Sequence, residues 1–311
     1  MNDYDVVIIG GGAAGLSAAL VLTRARRKVV VIDAGEPRNA PAAHMQGYLS
    51  RDGMSPAELL AAGREEVRSY SGHVVSGSVT SVRPRPDAGF EVASDDGRVV
   101  GARRVLVTTG LRDELPDLPG VRERWGRDLL HCPYCHGYEV RDQRLGVLGG
   151  TPEAVQHALL VRQWADDVVY FAHTQTPTPT EREQLLARAI GVVEGPVSRL
   201  VVEDDTLTGV ELADGRTVRR DAVFVRPGFV PNSDLLASLG CATRDDGWVV
   251  ADPAGRTSVP GVWVAGNAAN PRAQVITAAG EGSAAAIAIN NDLVEEDVQD
   301  AVRDFRSGLP A

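Results

Sequence analysis

The hydrophobic pattern near the start of the chain predicts a strand, a glycine turn, a helix and a second strand. The continuous apolar run at residues 6–9 is typical of a buried parallel strand, and the glycine-rich turn 10–15 follows it. An apolar helical stretch at 16–22 leads to a second apolar run, 29–32, which ends at Asp33. The pattern is one complete βαβ unit that closes on an acidic residue.

The next segment predicts a helix and then antiparallel strands. Ser55 has the character of an N-cap, Pro56 suits the first helical position, and Glu58 completes a capping box. Alternating β-branched residues between positions 74 and 107 predict an antiparallel meander. We therefore expect a helix from Pro56, followed by a sheet of short strands.

A second strand–glycine–helix–strand pattern occupies the middle of the chain, which indicates a partial duplication. It comprises residues 145–148, the pair Gly149 and Gly150, residues 154–164 and residues 168–171. A strand-rich piece at 197–225 follows, and the C-terminal part predicts a strand at 262–265 and a helix at about 277–293. The proline-broken stretches 111–120 and 226–232 have the composition of linkers.

Composition narrows the function classes. A chain of 311 residues has room for about two domains. Its net charge of −10 argues against a nucleic-acid binder, which needs a basic surface, and no apolar run approaches the roughly 20 residues of a membrane span. The N-terminus lacks the pattern of an export signal, and three cysteines cannot build a disulfide framework. We expect a cytoplasmic location.

The first glycine turn predicts a dinucleotide site. One glycine makes the tight turn, a second lets the backbone approach the phosphates, and a third lets the helix pack closely on the strand. This arrangement suits a pyrophosphate bound at a helix N-terminus, and an acid at the end of the second strand can accept hydrogen bonds from a ribose. Because an acid repels a 2′-phosphate, the ligand is predicted to be FAD or NAD rather than NADP. The candidate residues are Gly10, Gly12, Ala13, Ala14, Gly15 and Asp33.

A Cys-x-x-Cys pair, Cys132 and Cys135, is the second candidate centre. Zinc binding needs two more ligands, and His131 and His136 stand too close in sequence to complete a site without strain, so no metal is predicted. Two buried structural thiols are the other alternative. The spacing suits a reversible disulfide, and the flanking imidazoles supply proton acceptors near pH 7. The redox interpretation is favoured.

These features together resemble the low-molecular-weight thioredoxin reductase family over essentially the full chain. The resemblance implies an α/β fold of two nested Rossmann-like (two-dinucleotide-binding-domain) units, with parallel sheets and antiparallel meanders. It implies a discontinuous FAD domain at 1–114 and 232–311, an inserted domain at 115–231 that carries the cysteine pair, and a homodimer. By the same resemblance, Cys132 meets the substrate and Cys135 faces the flavin.

The C-terminal strand, turn and helix resemble the second FAD signature of such flavoproteins. Candidate flavin-site residues beyond the first turn are Gly110, Gly266, Asn267, Gln274 and Val275. The family usually has aspartate where this chain has Asn267, and asparagine can still bond a ribityl hydroxyl without carrying charge. The family's general acid commonly follows the second cysteine as aspartate, and here that residue is His136.

The second nucleotide turn departs from the family's GxGxxA pattern. Thr151 replaces the second glycine, and Glu153 adds negative charge nearby. After the following strand the family has a histidine and arginines, whereas here only His173 is present and the nearest cation is Arg182, on a helix predicted to be capped by Thr180 and Glu183. Tight NADPH binding is therefore not expected.

Two enzyme interpretations follow, and the oxidase is favoured. A degenerate nucleotide turn with Cys-x-x-Cys-His-Gly is similar to the gliotoxin- and holomycin-type dithiol oxidases, which by resemblance close disulfides in small natural products with FAD and O₂. We predict an FAD-dependent dithiol oxidase that gives H₂O₂, with His136 as base and His131 assisting. An NAD(P)H-dependent disulfide reductase is the alternative, a non-catalytic redox sensor a second alternative, and a thioredoxin-like protein stays open as a substrate.

Overall fold

The computed structural model describes residues 2–86 and 88–308, which form two compact units. Unit 1 contains the described parts of Met1–Ala40, Ser55–Arg112 and Val230–Ala311. Unit 2 contains Pro41–Met54 and Asp113–Phe229. Each unit has its own parallel sheet and its own hydrophobic core.

The elements alternate between strands and helices through much of the chain. The strands are β1 (Asn2–Ile9), β2 (Val29–Asp33), β3 (His73–Ser76), β4 (Val79–Pro84), β5 (Phe90–Ser94), β6 (Val99–Val107), β7 (Leu111–Glu114), β8 (Leu129–Leu130), β9 (Leu145–Leu148), β10 (Val168–Phe171), β11 (Gly191–Val193), β12 (Val197–Glu203), β13 (Thr206–Leu212), β14 (Thr217–Arg219), β15 (Ala222–Phe224), β16 (Gly228–Pro231) and β17 (Val262–Val264). The helices are α1 (Ala13–Arg24), α2 (Pro56–Ser69), α3 (Val121–Arg124), α4 (Pro133–His136), α5 (Ala154–Val161), α6 (Pro179–Ala187), α7 (Asp234–Ser238) and α8 (Val275–Ser307).

Unit 1 is built on a seven-stranded sheet. Its order is β3-β2-β1-β6-β5-β4, with β17 also pairing with β6. Strands β1, β2, β3 and β17 pair in parallel, whereas β4, β5 and β6 form an antiparallel meander. The meander predicted from residue 74 therefore begins at Val79, because the segment before it follows the crossover helix α2 and returns as a parallel strand.

The apolar run of β1 faces two cores. Val6 and Ile8 pack into one cluster with α1 and α8, whereas Val7 and Ile9 pack into the opposite cluster with the meander. Successive side chains of a strand point to opposite faces, so a continuous apolar run is what a strand covered on both sides requires.

Helix α2 begins as the sequence predicts. The Ser55 side chain accepts a hydrogen bond from the backbone N–H of Glu58, and the Glu58 side chain accepts one from the backbone N–H of Ser55, which completes the capping box. Pro56 lies in the first turn of the helix. In unit 2, by contrast, α6 is capped by Thr178 and Glu181, not by the predicted Thr180 and Glu183. The cap lies earlier because Pro179 occupies the first turn of the helix, where its missing N–H costs nothing.

Helix α8 extends well beyond the predicted end near residue 293. Its later turns carry Asp292 and Glu296, which form ion pairs with Arg104 on β6, and Glu296 also pairs with Arg103. The charged segment therefore continues as helix because arginines on the neighbouring sheet meet its carboxylates. None of the described helices combines the length and the apolar character that a membrane span needs.

Unit 2 combines a parallel sheet with a small antiparallel one. The parallel sheet has the order β11-β10-β9-β15-β8, and β12, β13 and β14 form the antiparallel sheet. Helix α5 follows β9 and packs against the parallel sheet, as the second βαβ pattern predicts. The two predicted linkers each contain a short strand, β7 and β16, and these two strands pair with each other.

Candidate active site

The first glycine turn in unit 1 is closed on one side and open on the other. Gly10 has a φ of +105°, and a Cβ atom there would lie 2.5 Å from the Thr108 carbonyl oxygen. A Cβ at Gly15 would lie 2.0 Å from the Gly10 carbonyl oxygen, so α1 packs directly on the turn. A Cβ at Gly12 would meet no atom within 4 Å. The open side is the one from which a ligand can approach the backbone.

The beginning of α1 suits an anionic ligand. Gly12 is its extended N-cap, and no side chain caps the helix, which begins at Ala13 and Ala14. The first N–H groups of a helix lack intrahelical partners and carry a partial positive charge. An uncapped helix start beside an open glycine fits a dinucleotide pyrophosphate.

Asp33 lies beside this turn, where it holds a protein partner on each oxygen. Its Oδ1 accepts a hydrogen bond from the Gly11 N–H at 3.0 Å, and its Oδ2 pairs with Arg64 at 3.0 Å. Each carboxylate oxygen can accept a further bond, so Asp33 can still bind a ribose hydroxyl. Sequence analysis missed Arg64, because its place on α2 carries no signal that it reaches the end of β2.

The C-terminal candidate residues meet the first glycine turn within unit 1. Gly266 has a φ of +68°, and a Cβ atom there would lie 3.0 Å from the Ala14 Cβ. Helix α8 begins close by, with Gln274 as N-cap and Val275 as first residue, and no side chain caps it. Two helix starts that are distant in sequence therefore flank one turn.

Glu281 fixes the Gly266 turn and was missed by sequence analysis. Its Oε2 accepts the Gly266 N–H at 3.0 Å, and its Oε1 accepts the Asn270 side-chain amide at 2.7 Å. A φ of +71° at Gly110, where an added Cβ would meet open space, marks another backbone position that only glycine adopts easily.

Asn267 uses its amide as a donor to the backbone. Its Nδ2 donates to the carbonyl oxygens of Asn270 at 2.9 Å and Ala273 at 3.1 Å, and Arg38 lies 3.4 Å from its Oδ1. A carboxylate cannot donate to two carbonyl oxygens. The loop therefore gives a physical reason for asparagine where the resembling family usually has aspartate.

We expect Asn267→Asp to lower the free energy of unfolding by about 2–4 kcal/mol, because two carbonyl acceptors lose their donor. Denaturant titration at pH 7 measures this change. Asn290→Asp is the matched control, since the Asn290 Oδ1 only accepts from Arg27 at 2.8 Å and aspartate can do the same. Equal stability of Asn267→Asp and the wild type would contradict this role.

The cysteine pair forms a disulfide in unit 2. Cys132 and Cys135 are bonded, with 5.2 Å between their Cα atoms, and Cys132 is the N-cap of the four-residue helix α4. The Cys132 carbonyl oxygen accepts hydrogen bonds from the N–H groups of Cys135 and His136, each at 3.1 Å. The backbone thus holds both sulfur-bearing residues in one tight turn.

Two histidines border this turn in different surroundings. Burial lowers the pKa of His136 from its usual value, although Glu139 opposes the shift, so the ring is neutral at pH 7. The His131 ring is stacked on Trp125 with 5.7 Å between centroids, and Phe229 approaches it edge-on at 5.9 Å. His136 is therefore a neutral proton acceptor, and His131 is held by aromatic rings.

A tryptophan missed by sequence analysis supports the other side of the turn. A Cβ atom at Gly137 would lie 2.8 Å from the Trp164 indole, and Tyr134 contacts the same indole edge-on at 5.7 Å between centroids. Gly137 is therefore required for close packing. The place of Gly137 in the sequence, two residues after Cys135, was the available signal.

The second glycine turn, at the start of α5, does not fit a dinucleotide pyrophosphate. Pro152 has no N–H, and the N–H of Ala154 is bonded to the Thr151 carbonyl oxygen at 3.1 Å. The Thr151 hydroxyl is buried and lacks a hydrogen-bond partner. Pro152 therefore offers no donor and the Ala154 donor is occupied, and the Thr151 side chain stands where the pattern needs glycine.

The end of β10 is also unsuited to a 2′-phosphate. His173 accepts a hydrogen bond from the Val197 N–H on Nδ1 at 3.0 Å, and burial lowers the pKa of its imidazole, both of which favour a neutral ring. Arg182 is engaged by Glu194, and Glu181 lies nearby in the α6 capping box. The fit fails on charge as well as on shape.

Within residues 2–86 and 88–308, no three histidine, cysteine or carboxylate side chains converge as metal ligands would. The third cysteine, Cys241, belongs to unit 1, whereas the pair belongs to unit 2. Cys241 is buried, and its sulfur lies 3.5 Å from the Thr257 hydroxyl. The chemistry of the chain therefore centres on the disulfide and on the first glycine turn.

Residues 4–282 match the pyridine nucleotide-disulphide oxidoreductase family. The protein named thioredoxin reductase sirT from Leptosphaeria maculans is 32% identical over 305 residues, covering 92% of this chain and 93% of the relative. The crystal structure of HlmI has a TM-score of 0.95 and 59% identity, covering 97% of this chain and 96% of that chain. The crystal structure of the oxidoreductase from Agrobacterium tumefaciens has a TM-score of 0.88 and 36% identity, covering 94% of this chain and 99% of that chain. These similarities confirm the predicted α/β fold.

Proposed function

The chain belongs to the pyridine nucleotide-disulphide oxidoreductase family, and from that premise we propose that it is an FAD-dependent dithiol oxidase that closes a disulfide in a small-molecule dithiol. Members of a disulfide oxidoreductase family can move electrons toward or away from sulfur. One observation favours the removal of electrons from sulfur in this protein. The cysteine pair and the first glycine turn keep their features, whereas in the second turn Thr151 replaces a glycine, Pro152 has no N–H and the Ala154 N–H is bonded to Thr151.

FAD fits the residues of unit 1. The open backbone at Gly12 and the start of α1 would hold the pyrophosphate, and Asp33 would accept from a ribose hydroxyl. Gly266 and the beginning of α8 would approach the flavin end. When bound, FAD supplies an acceptor for the electron pair of a dithiol and a route for that pair to O₂, which becomes H₂O₂.

The residues of unit 2 carry the sulfur chemistry. The neutral ring of His136 takes a proton from one substrate thiol, and the resulting thiolate attacks the Cys132 sulfur. This forms a mixed disulfide, breaks the Cys132–Cys135 bond and releases Cys135 as a thiolate. The second substrate thiol loses its proton to solvent, and its thiolate attacks the substrate sulfur of the mixed disulfide and displaces the Cys132 thiolate. The substrate leaves with an internal disulfide, and its two electrons remain on the cysteine pair.

A small dithiol suits this sequence of steps. Both thiols belong to one molecule, so the second attack is intramolecular and gains a high effective concentration. A monothiol would need a second molecule for the same step. We therefore expect dithiols to be oxidised much faster than monothiols of equal thiol pKa.

NADPH would lack two contacts to its 2′-phosphate in this protein. Each charge-assisted hydrogen bond to the phosphate contributes about 1.5–3 kcal/mol, and about 1.4 kcal/mol corresponds to a factor of ten in affinity. With His173 favoured in its neutral form and Arg182 paired with Glu194, two such contacts are lost. We expect NADPH to bind at least 100-fold more weakly than in a reductase that retains them.

An NAD(P)H-dependent disulfide reductase is the second candidate. It is favoured by the relative from Leptosphaeria maculans, which is named a thioredoxin reductase and matches over nearly the whole chain. A redox-sensing role without catalysis has no feature of its own in its favour. The domain limits given above, a homodimeric assembly and a cytoplasmic location stay predictions.

Anaerobic flavin reduction separates the two enzyme candidates. We expect dithiothreitol to bleach the flavin absorbance near 450 nm within seconds, whereas NADPH or NADH at equal concentration bleaches it at least 100-fold more slowly. Readmitting air is expected to restore the colour and to produce one H₂O₂ per dithiol. Rapid bleaching by NADPH, with no H₂O₂ from dithiols, would reject the oxidase in favour of the reductase.

A further inference from the structure

An arginine on α2 reaches the acidic end of β2 within unit 1. The Arg64 Nη2 donates a hydrogen bond to the Asp33 Oδ2 at 3.0 Å, and the two side chains are 28% and 18% exposed. The residues stand 31 positions apart in the sequence, and both are half-buried. This ion pair is therefore better shielded from water than one between two fully exposed side chains.

The place of Arg64 on its helix indicates a purpose beyond solubility. Leu60 lies four residues before it and Val67 three residues after it, so the three side chains share one face of α2. Leu60 and Val67 are both buried in the core of unit 1. A charge on a core-facing stripe loses part of its hydration, which costs free energy unless a partner compensates. Asp33 is that partner.

The Asp33 carboxylate is oriented from two directions. Its Oδ1 accepts the Gly11 N–H at 3.0 Å, and its Oδ2 accepts from Arg64. A Cβ atom at Gly11 would lie 2.6 Å from the Asp33 Cγ, so the carboxylate lies directly against the glycine turn. Each oxygen can accept one further bond, so a ribose hydroxyl would meet an acceptor that is already oriented.

The charge of Asp33 would oppose an anionic ligand if it were alone. A pyrophosphate at Gly12 and the start of α1 would lie next to Gly11, the residue to which Asp33 is bonded. Like charges at short range in a half-buried site repel each other. The Arg64 guanidinium balances the carboxylate, which leaves the positive end of α1 to determine the field at the turn.

We propose that Arg64 is a positioning residue for the adenosine half of FAD. It holds the Asp33 carboxylate toward the ribose and cancels its charge beside the pyrophosphate. This inference rests on the proposed function for the identity of the cofactor. The role predicts that losing Arg64 weakens ligands that carry the adenosine diphosphate group and leaves ligands without that group unaffected.

Binding of three ligands to the full-length chain, after removal of its flavin, tests this role. FAD carries both halves, ADP carries only the adenosine half, and FMN carries only the flavin half. We expect Arg64→Gln to raise the Kd of FAD and of ADP by the same factor, about 5- to 20-fold, and to change the Kd of FMN less than about twofold. Flavin fluorescence measures FAD and FMN, and calorimetry measures ADP. Unchanged FMN binding also shows that the variant is folded.

Three further variants separate positioning from general stability. Arg64→Lys keeps a cation that can reach one carboxylate oxygen and should bind FAD within about threefold of the wild type. Arg68→Gln, one turn further along α2 at an exposed position, is the matched control and should change no Kd by more than about twofold. In an Asp33→Asn background, Arg64→Gln should change the Kd of FAD less than about twofold, because its partner carboxylate is gone.

Two results would overturn the positioning role. One is an Arg64→Gln variant whose Kd values for FAD and ADP match those of the wild type, and the other is a loss of FMN affinity as large as the loss of FAD affinity. None of these measurements requires dithiol oxidation. If the wild type binds FAD but does not oxidise dithiols, and Arg64→Gln still weakens FAD and ADP selectively, the proposed oxidase function fails and the positioning role stands.

Discussion

Replacing Cys132 by serine is expected to reduce dithiol-dependent H₂O₂ formation by about 1,000-fold or more. The hydroxyl cannot form a disulfide, so neither the mixed disulfide nor the Cys132–Cys135 bond can exist. Oxygen consumption with dithiothreitol, followed alongside the flavin absorbance, measures the loss. The flavin content should stay within about twofold of the wild type, because the residues proposed to hold FAD lie in unit 1 and the disulfide lies in unit 2.

Two other cysteine variants make this result specific. Cys135→Ser should be equally inactive, but its Cys132 thiol should form a stable mixed disulfide with the disulfide of a monothiol, visible as a mass increase that dithiothreitol removes. Cys241→Ala should retain at least half of the activity, because that thiol is buried in unit 1 and is not part of the pair. Full turnover by Cys132→Ser would remove the disulfide from the mechanism.

The first glycine turn was predictable because its requirements are local. Gly10 must adopt a positive φ, Gly15 must let α1 pack on the turn, and both demands fall within one short motif. The capping box at Ser55 is similarly local and is confirmed. The resemblance to thioredoxin reductase-like flavoproteins, which rested on such motifs, is confirmed as well.

The missed residues act across long sequence distances. Arg64 meets Asp33, and Glu281 meets the Gly266 turn, through the packing of helices against the sheet. No periodicity reveals such a pairing before the topology is known.

Some elements also differ from their sequence-based predictions, because packing against neighbouring elements outweighs the local pattern. The alternation at His73–Ser76 suits either strand direction, and the crossover through α2 decides that it runs parallel to β2. The charged turns of α8 have the composition of a solvated end, yet Arg103 and Arg104 on β6 hold them as helix. Local pattern therefore predicts that an element exists, whereas packing sets its pairing and its length.

Replacing His136 by alanine is expected to lower kcat/KM for a dithiol about 100-fold at pH 7 and less than about tenfold at pH 9. A positioned base contributes roughly 10²–10⁴-fold, and it acts only when unprotonated. Burial holds the pKa of His136 below its usual value of 6.5, so in the wild type the rate rises with pH through that lowered pKa and is already high at pH 7. Without the imidazole, the thiol must ionise unaided, and the rising limb moves to the thiol's own pKa, about 8.5.

The pH profile distinguishes a base from a structural residue. Loss of packing alone would lower kcat/KM by a similar factor at every pH, whereas loss of the base moves the rising limb upward by about two units or more. His131→Ala is the matched control: its ring is held between Trp125 and Phe229, so its loss is expected to lower the rate while leaving the limb in place. A His136→Ala limb that coincides with that of the wild type would assign the proton transfer to another group, and a shifted limb in His131→Ala would identify that group as His131.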